Sequence, residues 1–126
     1  MIEFKNLTKR FPGGKIAVDS LNLTFNDGEF IVFIGTSGSG KTTSMRMINR
    51  MIEPTSGEIL INGKNSKDMN AVELRRQIGY VIQQIGLMPH MTIFDNIVMV
   101  PKLLKWPVEK QRKIAEELIQ KVDLPL

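Results

Sequence analysis

The 126-residue chain contains no cysteine and a single histidine, His90. Without thiols it can form neither a disulfide nor a thiolate metal site, and the absence accords with a reducing compartment. One imidazole makes neither a histidine metal site nor a catalytic pair, so His90 is read as a structural or surface residue. No apolar run approaches the ~20 residues that a membrane span requires. The start, Met1-Ile2-Glu3-Phe4-Lys5, lacks the layout of a signal peptide, and a cytoplasmic location is expected. No internal repeat and no low-complexity linker interrupts the chain. Nor is there a block of one charge. The net charge is +4 and the pI about 9.5, but basic residues alternate with acids, as in Glu109-Lys110-Gln111-Arg112-Lys113. That interleaving describes solvated faces, and no nucleic-acid partner is expected.

What is present is the length of one domain, with 42% hydrophobic and 24% charged residues, as in a soluble globular protein. Its most informative stretch is Gly35-Thr36-Ser37-Gly38-Ser39-Gly40-Lys41-Thr42-Thr43. This fits G-x-x-x-x-G-K-[ST], and its flanks fit as well. Phe30-Ile31-Val32-Phe33-Ile34 before it predicts a buried strand. After it, Met47, Ile48 and Met51 recur at helical spacing. A glycine loop between strand and helix is the setting in which this pattern binds phosphate. The glycines let backbone N–H groups close around an anion, and the helix start adds unpaired donors and partial positive charge. Lys41 supplies a mobile charge for the β- and γ-phosphates, and the Thr42 hydroxyl is placed for Mg²⁺. A nucleoside triphosphate site is therefore expected.

The rest of the chain predicts short elements. Ile2–Leu7 alternates as a half-buried strand, Lys9–Gly14 breaks into a turn, and Ile16–Val18 and Leu21–Phe25 are two further strands. Short strands at this spacing imply an antiparallel piece ahead of the phosphate loop. The first helix ends near Arg50–Glu53, before Pro54. Glu58–Ile61 is a strand followed by a tight turn at Asn62-Gly63. A short helix covers Ala71–Arg76, and Ile78–Ile82 is a strand that stops at Gln83. The segment 85–91 is apolar yet punctuated by Gly86 and Pro89, a loop that something must cover. Thr92 caps a helix that has Asp95 in its first turn. Pro107 opens the last helix, along which Val108, Ala115, Leu118, Ile119 and Val122 keep the period. The eight methionines are read as core filling, and Trp106 as packing at a helix start.

Together, the phosphate loop, the run Glu53-Pro54-Thr55-Ser56-Gly57-Glu58-Ile59 and the run Ile78-Gly79-Tyr80-Val81-Ile82-Gln83-Gln84 resemble an ATP-binding-cassette (ABC) ATPase. The resemblance follows the whole chain in order. Gln83 stands where this family places its Q-loop glutamine, Leu87–Ile93 is similar to the apolar segment after it, and Phe11 matches the aromatic position that stacks on adenine. The runs Met45–Pro54, Gln83–Ile93 and Val100–Trp106 resemble ATPase subunits of importers for glycine betaine, carnitine or choline.

The resemblance implies an α/β P-loop NTPase fold with an antiparallel β subdomain, binding ATP and Mg²⁺. It implies nucleotide contacts from Phe11, Gly35, Thr36, Ser37, Gly38, Ser39, Gly40, Lys41, Thr42 and Thr43. Lys41 and Gln83 would bear on catalysis, and Thr42 and Gln83 on the metal. The implied partners are a second nucleotide-binding subunit and a membrane permease, the latter met by Ile85–Ile97, which would hold the protein at the inner face of the membrane. Residues 1–34 and 57–65 would form the mainly antiparallel β region, 35–56 and 66–84 the P-loop core, and 85–126 the start of a helical subdomain. The family also needs a signature loop of the Leu-Ser-Gly-Gly-Gln type, a second acidic strand and a switch histidine. None occurs in these residues, so the resemblance implies a domain truncated before the second half of its core sheet, able to bind nucleotide but not to hydrolyse it. A non-transport ABC ATPase of DNA repair or translation, acting as a nucleotide-binding module, remains the alternative.

Overall fold

Strand β1, Ile2–Arg10, is the spine of the first of two compact units, residues 1–78 and 79–126. The structure is a computed structural model and describes residues 1–125. β1 pairs antiparallel with β2, Ile16–Phe25, on one side and with β3, Ser56–Ile61, on the other; β3 pairs with β4, Lys64–Asn65. The sheet order is β2-β1-β3-β4. The antiparallel piece expected from the short strands is therefore present, and Asn62 and Gly63, both at positive φ, close the β3–β4 turn. Where two strands were expected over Ile16–Phe25 there is one, carrying register irregularities rather than a break.

The core of this unit is built from Phe4, Leu7, Val18, Met47 and Ile59. Phe4 and Leu7 are an odd number of residues apart, so a regular strand would send them to opposite faces. The register shifts between them, with Asn6 at φ 49°, and both side chains are buried. The irregularity restores a shared face that strict alternation would have split. Phe25 meets Phe4 edge-on, with centroids 5.1 Å apart. Helix α1, Lys41–Ile48, contributes Met47 to this core.

α1 stops earlier than Pro54 would require. Arg50 sits at φ 57°, its N–H bonds to the Met47 carbonyl, and the Met51 N–H reaches back to the Arg46 carbonyl. This is a Schellman ending, in which a left-handed residue turns the chain and satisfies the last carbonyls. The Arg75 guanidinium adds bonds to the carbonyls of Asn49 and Arg50. A single 3₁₀ turn covers Ser66–Asp68, and α2 spans Ala71–Gln77, capped by the Asn70 side chain accepting from the N–H groups of Val72 and Glu73.

Two expected strands form no ladder. Neither Phe30–Ile34 nor Ile78–Ile82 pairs with another described segment, and Phe30, Ile34 and Val81 are each 93% exposed. An apolar run marks a segment that can be buried on both faces, but a strand exists only where a neighbouring backbone takes its hydrogen bonds. Among the described residues the paired backbones are those of the antiparallel sheet. An open cleft of about 510 Å³ lies between α1 and this run, lined by Phe25, Val32, Phe33, Met45 and Ile48 and apolar except where Lys41 and Thr42 enter.

The second unit is helical. α3, Ile93–Leu103, and α4, Val108–Lys121, pack with Val98 and Ala115 fully buried. Pro107 is the cap before α4 rather than its first helical residue, and of the expected apolar stripe Val108, Leu118 and Val122 are exposed. Gln111 is buried instead and donates to the Trp106 carbonyl at 2.8 Å. The Lys110 ammonium stands 3.8 Å from the Trp106 ring centroid. Among the described residues no helix is long and apolar enough to cross a membrane.

The cap of α3 is the one that the sequence indicates. Thr92 Oγ1 accepts from the Asp95 N–H at 3.0 Å, and its hydroxyl donates to the Asp95 carboxylate at 2.8 Å. That bond first, and then Lys102 at 3.4 Å, hold the Asp95 carboxyl below its ordinary range. A carboxyl lowered in the folded state stabilises above its unfolded pKa, and the contribution is lost as pH falls through the folded value. Thr92→Ala is expected to cost about 1 kcal/mol, read by urea unfolding at neutral pH. The cost should shrink in acid as Asp95 protonates; a pH-independent difference would remove the carboxylate from the cap.

Candidate glycine-loop anion site

The loop 35–43 is shaped by contacts of its own residues and one neighbour. Gly40 lies at φ 93° as the residue before α1, and a Cβ there would collide with the Ala17 carbonyl oxygen of β2. Backbone thus presses on backbone, which only glycine allows. The buried Ser44 hydroxyl donates to the Gly40 carbonyl at 2.8 Å, next to the Ser44 N–H bond at 2.9 Å. Ser44 is a supporting residue that the motif does not name. A side chain that bonds one turn back is its only local signal.

Lys41 folds over the loop. Its ammonium donates to the carbonyls of Gly35 and Thr36, the second at 2.7 Å, and to Ser39 Oγ at 3.1 Å. All three of its protons have partners within six residues of chain. The one internal backbone bond of the loop runs from the Ser39 N–H to the Thr36 carbonyl. Among the described residues, the N–H groups of Gly38, Gly40, Lys41, Thr42 and Thr43 donate to no protein acceptor. α1 also has no side-chain cap and no acid in its first turn. Unpaired donors, a helix's positive end and an ammonium at the same place fit an anion with several oxygens.

The exposed Thr42 hydroxyl makes no hydrogen bond to another described residue. Ser37, also exposed, sits at the tip of the loop. Phe11 belongs to the β1–β2 turn, where its N–H bonds to the Lys15 carbonyl at 2.8 Å and its carbonyl accepts from Gly14. Its ring is half-buried, with the Lys9 ammonium 5.2 Å from its centroid.

Gln83 is exposed in the second unit, in a stretch without regular secondary structure. The strand expected to end at it is not formed. Downstream, Ile85 is 91% and Leu87 58% exposed. The loop is nevertheless held: the Asn96 amide donates to the carbonyls of Met88, Met91 and Thr92, and its oxygen accepts from the Met88 N–H at 2.7 Å. No sequence pattern flags Asn96, because its partners are backbone atoms brought in by the fold.

The family profile described as ABC transporter matches residues 18–126. The chain is 62% identical, over 99% of its length, to a carnitine transport ATP-binding protein of Listeria monocytogenes, 32% of which it covers. It is 58% identical over 98% of its length to a choline transport ATP-binding protein of Bacillus subtilis (32% covered), and 55% identical over 98% to an osmoprotectant import ATP-binding protein of Salmonella typhimurium (34% covered). The chain thus spans about a third of the length of these relatives. Among solved structures, a dimeric ATP-binding cassette in a post-hydrolysis state with ADP and Pi aligns with a TM-score of 0.84 at 34% identity, over 99% of this chain and 58% of that one.

Proposed function

The chain belongs to the ABC transporter family, and on that premise we propose that it is the ATP-binding, energy-coupling part of an importer for osmolytes of the glycine betaine, carnitine and choline type. The observation that supports this best is 55–62% identity, along nearly the whole chain, to ATP-binding proteins named for carnitine, choline and osmoprotectant transport. The glycine loop supports the nucleotide part. Residues Gly35–Thr43 would receive the phosphates on the unpaired N–H groups, with Lys41 exchanging some of its carbonyl partners for phosphate oxygens. Phe11 would stack on the base. The Thr42 hydroxyl would hold Mg²⁺, which offsets phosphate charge when bound. Phosphoryl transfer is positioning and charge stabilisation, and this chain's share is to orient the nucleotide and present Lys41 to it.

The exposed apolar segment Ile85–Ile97, clasped by Asn96, is the proposed contact for a membrane permease, holding the protein peripherally at the cytoplasmic face. A second nucleotide-binding subunit would complete the site.

Titration of a fluorescent ATP analogue with Mg²⁺ into the purified 126-residue chain is expected to show saturable binding without steady phosphate release. No binding by folded protein would overturn the nucleotide reading. Steady release that disappears in Lys41→Ala would overturn the expected inertness. In the assembled importer, Leu87→Asp is expected to abolish permease assembly and betaine uptake while leaving nucleotide binding intact; normal uptake would end the docking assignment.

A further inference from the structure

Lys9 stands at the end of β1, where a strand lysine ordinarily extends into solvent. Here it makes two directional contacts. Its ammonium lies 5.2 Å from the Phe11 ring centroid, within the ~6 Å at which a cation is drawn to the negative face of an aromatic ring. The same nitrogen donates to the Glu53 carbonyl at 2.8 Å, beyond the end of α1. The backbone between Lys9 and Phe11 is tied to the same stretch, since the Arg10 N–H donates to Thr55 Oγ1 at 2.9 Å and the Arg10 carbonyl accepts from that hydroxyl at 3.3 Å.

We propose that Lys9 is a positioning residue for the nucleotide base: it covers one face of Phe11, fixes the ring against the Glu53–Thr55 segment and leaves the other face as the platform. The proposal rests on the reading of Phe11 as the base-stacking residue and extends it to a residue that the phosphate-loop motif does not include. The physical reason is twofold. A ring held from one side has fewer orientations to lose when a base stacks on it. A cation on that side also draws π density toward itself, which lowers the repulsion between the opposite face and the π-cloud of an incoming base.

The test separates base from phosphate. Affinities of the purified protein for Mg-ATP and for Mg-tripolyphosphate, which has no base, are measured by calorimetry for wild type, Lys9→Met, Lys9→Arg, Phe11→Leu and the Lys9→Met/Phe11→Leu pair. Lys9→Met is expected to weaken ATP roughly two- to five-fold and leave tripolyphosphate unchanged. Lys9→Arg, which keeps a cation over the ring, is expected to behave as wild type. In the Phe11→Leu background the Lys9 change should add nothing. Equal weakening of ATP and tripolyphosphate would overturn the proposal, because Lys9 would then act only as a charge near the phosphates. If Phe11→Leu lowers the ATP-to-tripolyphosphate ratio and Lys9→Met does not, the positioning role fails and the platform stands. If Phe11→Leu leaves that ratio unchanged, the platform reading fails and the Lys9 proposal with it.

Discussion

Lys41→Ala is expected to weaken Mg-ATP binding about 10- to 100-fold, as befits the loss of a charged hydrogen-bond donor, ~1.5–3 kcal/mol, from a phosphate site. The structure adds a second reason for a large effect. The ammonium bonds the carbonyls of Gly35 and Thr36 and the Ser39 hydroxyl, so it also ties the two ends of the glycine loop together before any anion arrives. Its removal would take away the proposed phosphate ligand and a strut at once. Lys41→Arg divides the two contributions: charge is kept, but a planar fork cannot reproduce three bonds made by a compact ammonium. Calorimetric titration of ATP, ADP and AMP should show the loss grow with phosphate number. Equal ATP affinity in folded wild type and Lys41→Ala would remove Lys41 from the site.

Gly40→Ala should be the most disruptive single methyl in the loop. At φ 93° an L-residue is strained by about 1–2 kcal/mol. The added Cβ also meets the Ala17 carbonyl oxygen, which belongs to β2 and cannot swing away as a side-chain tip would. Accommodating it means separating the start of α1 from the sheet, and with the overpacking cost the loss comes to about 2–5 kcal/mol. Gly38→Ala supplies the control. Its φ is also positive, but a Cβ there meets nothing within 4 Å, so strain alone applies, about 1–2 kcal/mol. Urea unfolding of both variants decides the matter. Similar losses at the two positions would mean that strain, not the contact with β2, sets the cost.

Expected and observed elements agree or differ along a physical line. Features held by neighbours in sequence were legible in the sequence. The Asn62-Gly63 turn needs two residues tolerant of positive φ, the Thr92 cap needs a hydroxyl three residues before a helical N–H, and the glycine loop needs its own spacing. Each is present with the geometry that its residues imply. α1 ends close to the residues that the sequence indicates, but for a different physical reason. Pro54 suggested it, whereas a left-handed Arg50 and the return bonds to Arg46 and Met47 produce it.

Features that depend on distant partners were not legible. The run Phe30–Ile34 has the composition of a buried strand, but composition states only what could be buried, and a ladder needs another backbone alongside. The Phe4–Leu7 irregularity is invisible in a pattern of letters, since it is the shared core with Val18, Met47 and Ile59 that demands both side chains on one face. Lys9, Ser44 and Asn96 are ordinary polar residues in sequence. They gain their roles from an aromatic ring and from carbonyls that folding places within reach. The amino-acid sequence by itself thus determined the glycine loop, the Asn62-Gly63 turn and the Thr92 cap, because these rest on local geometry, and its runs in order carried the resemblance to the family to which the chain belongs. Tertiary structure decided which faces are buried, where strands find partners and which polar side chains hold the loops. Those outcomes are set by burial and hydrogen-bond satisfaction between segments that the chain order keeps apart.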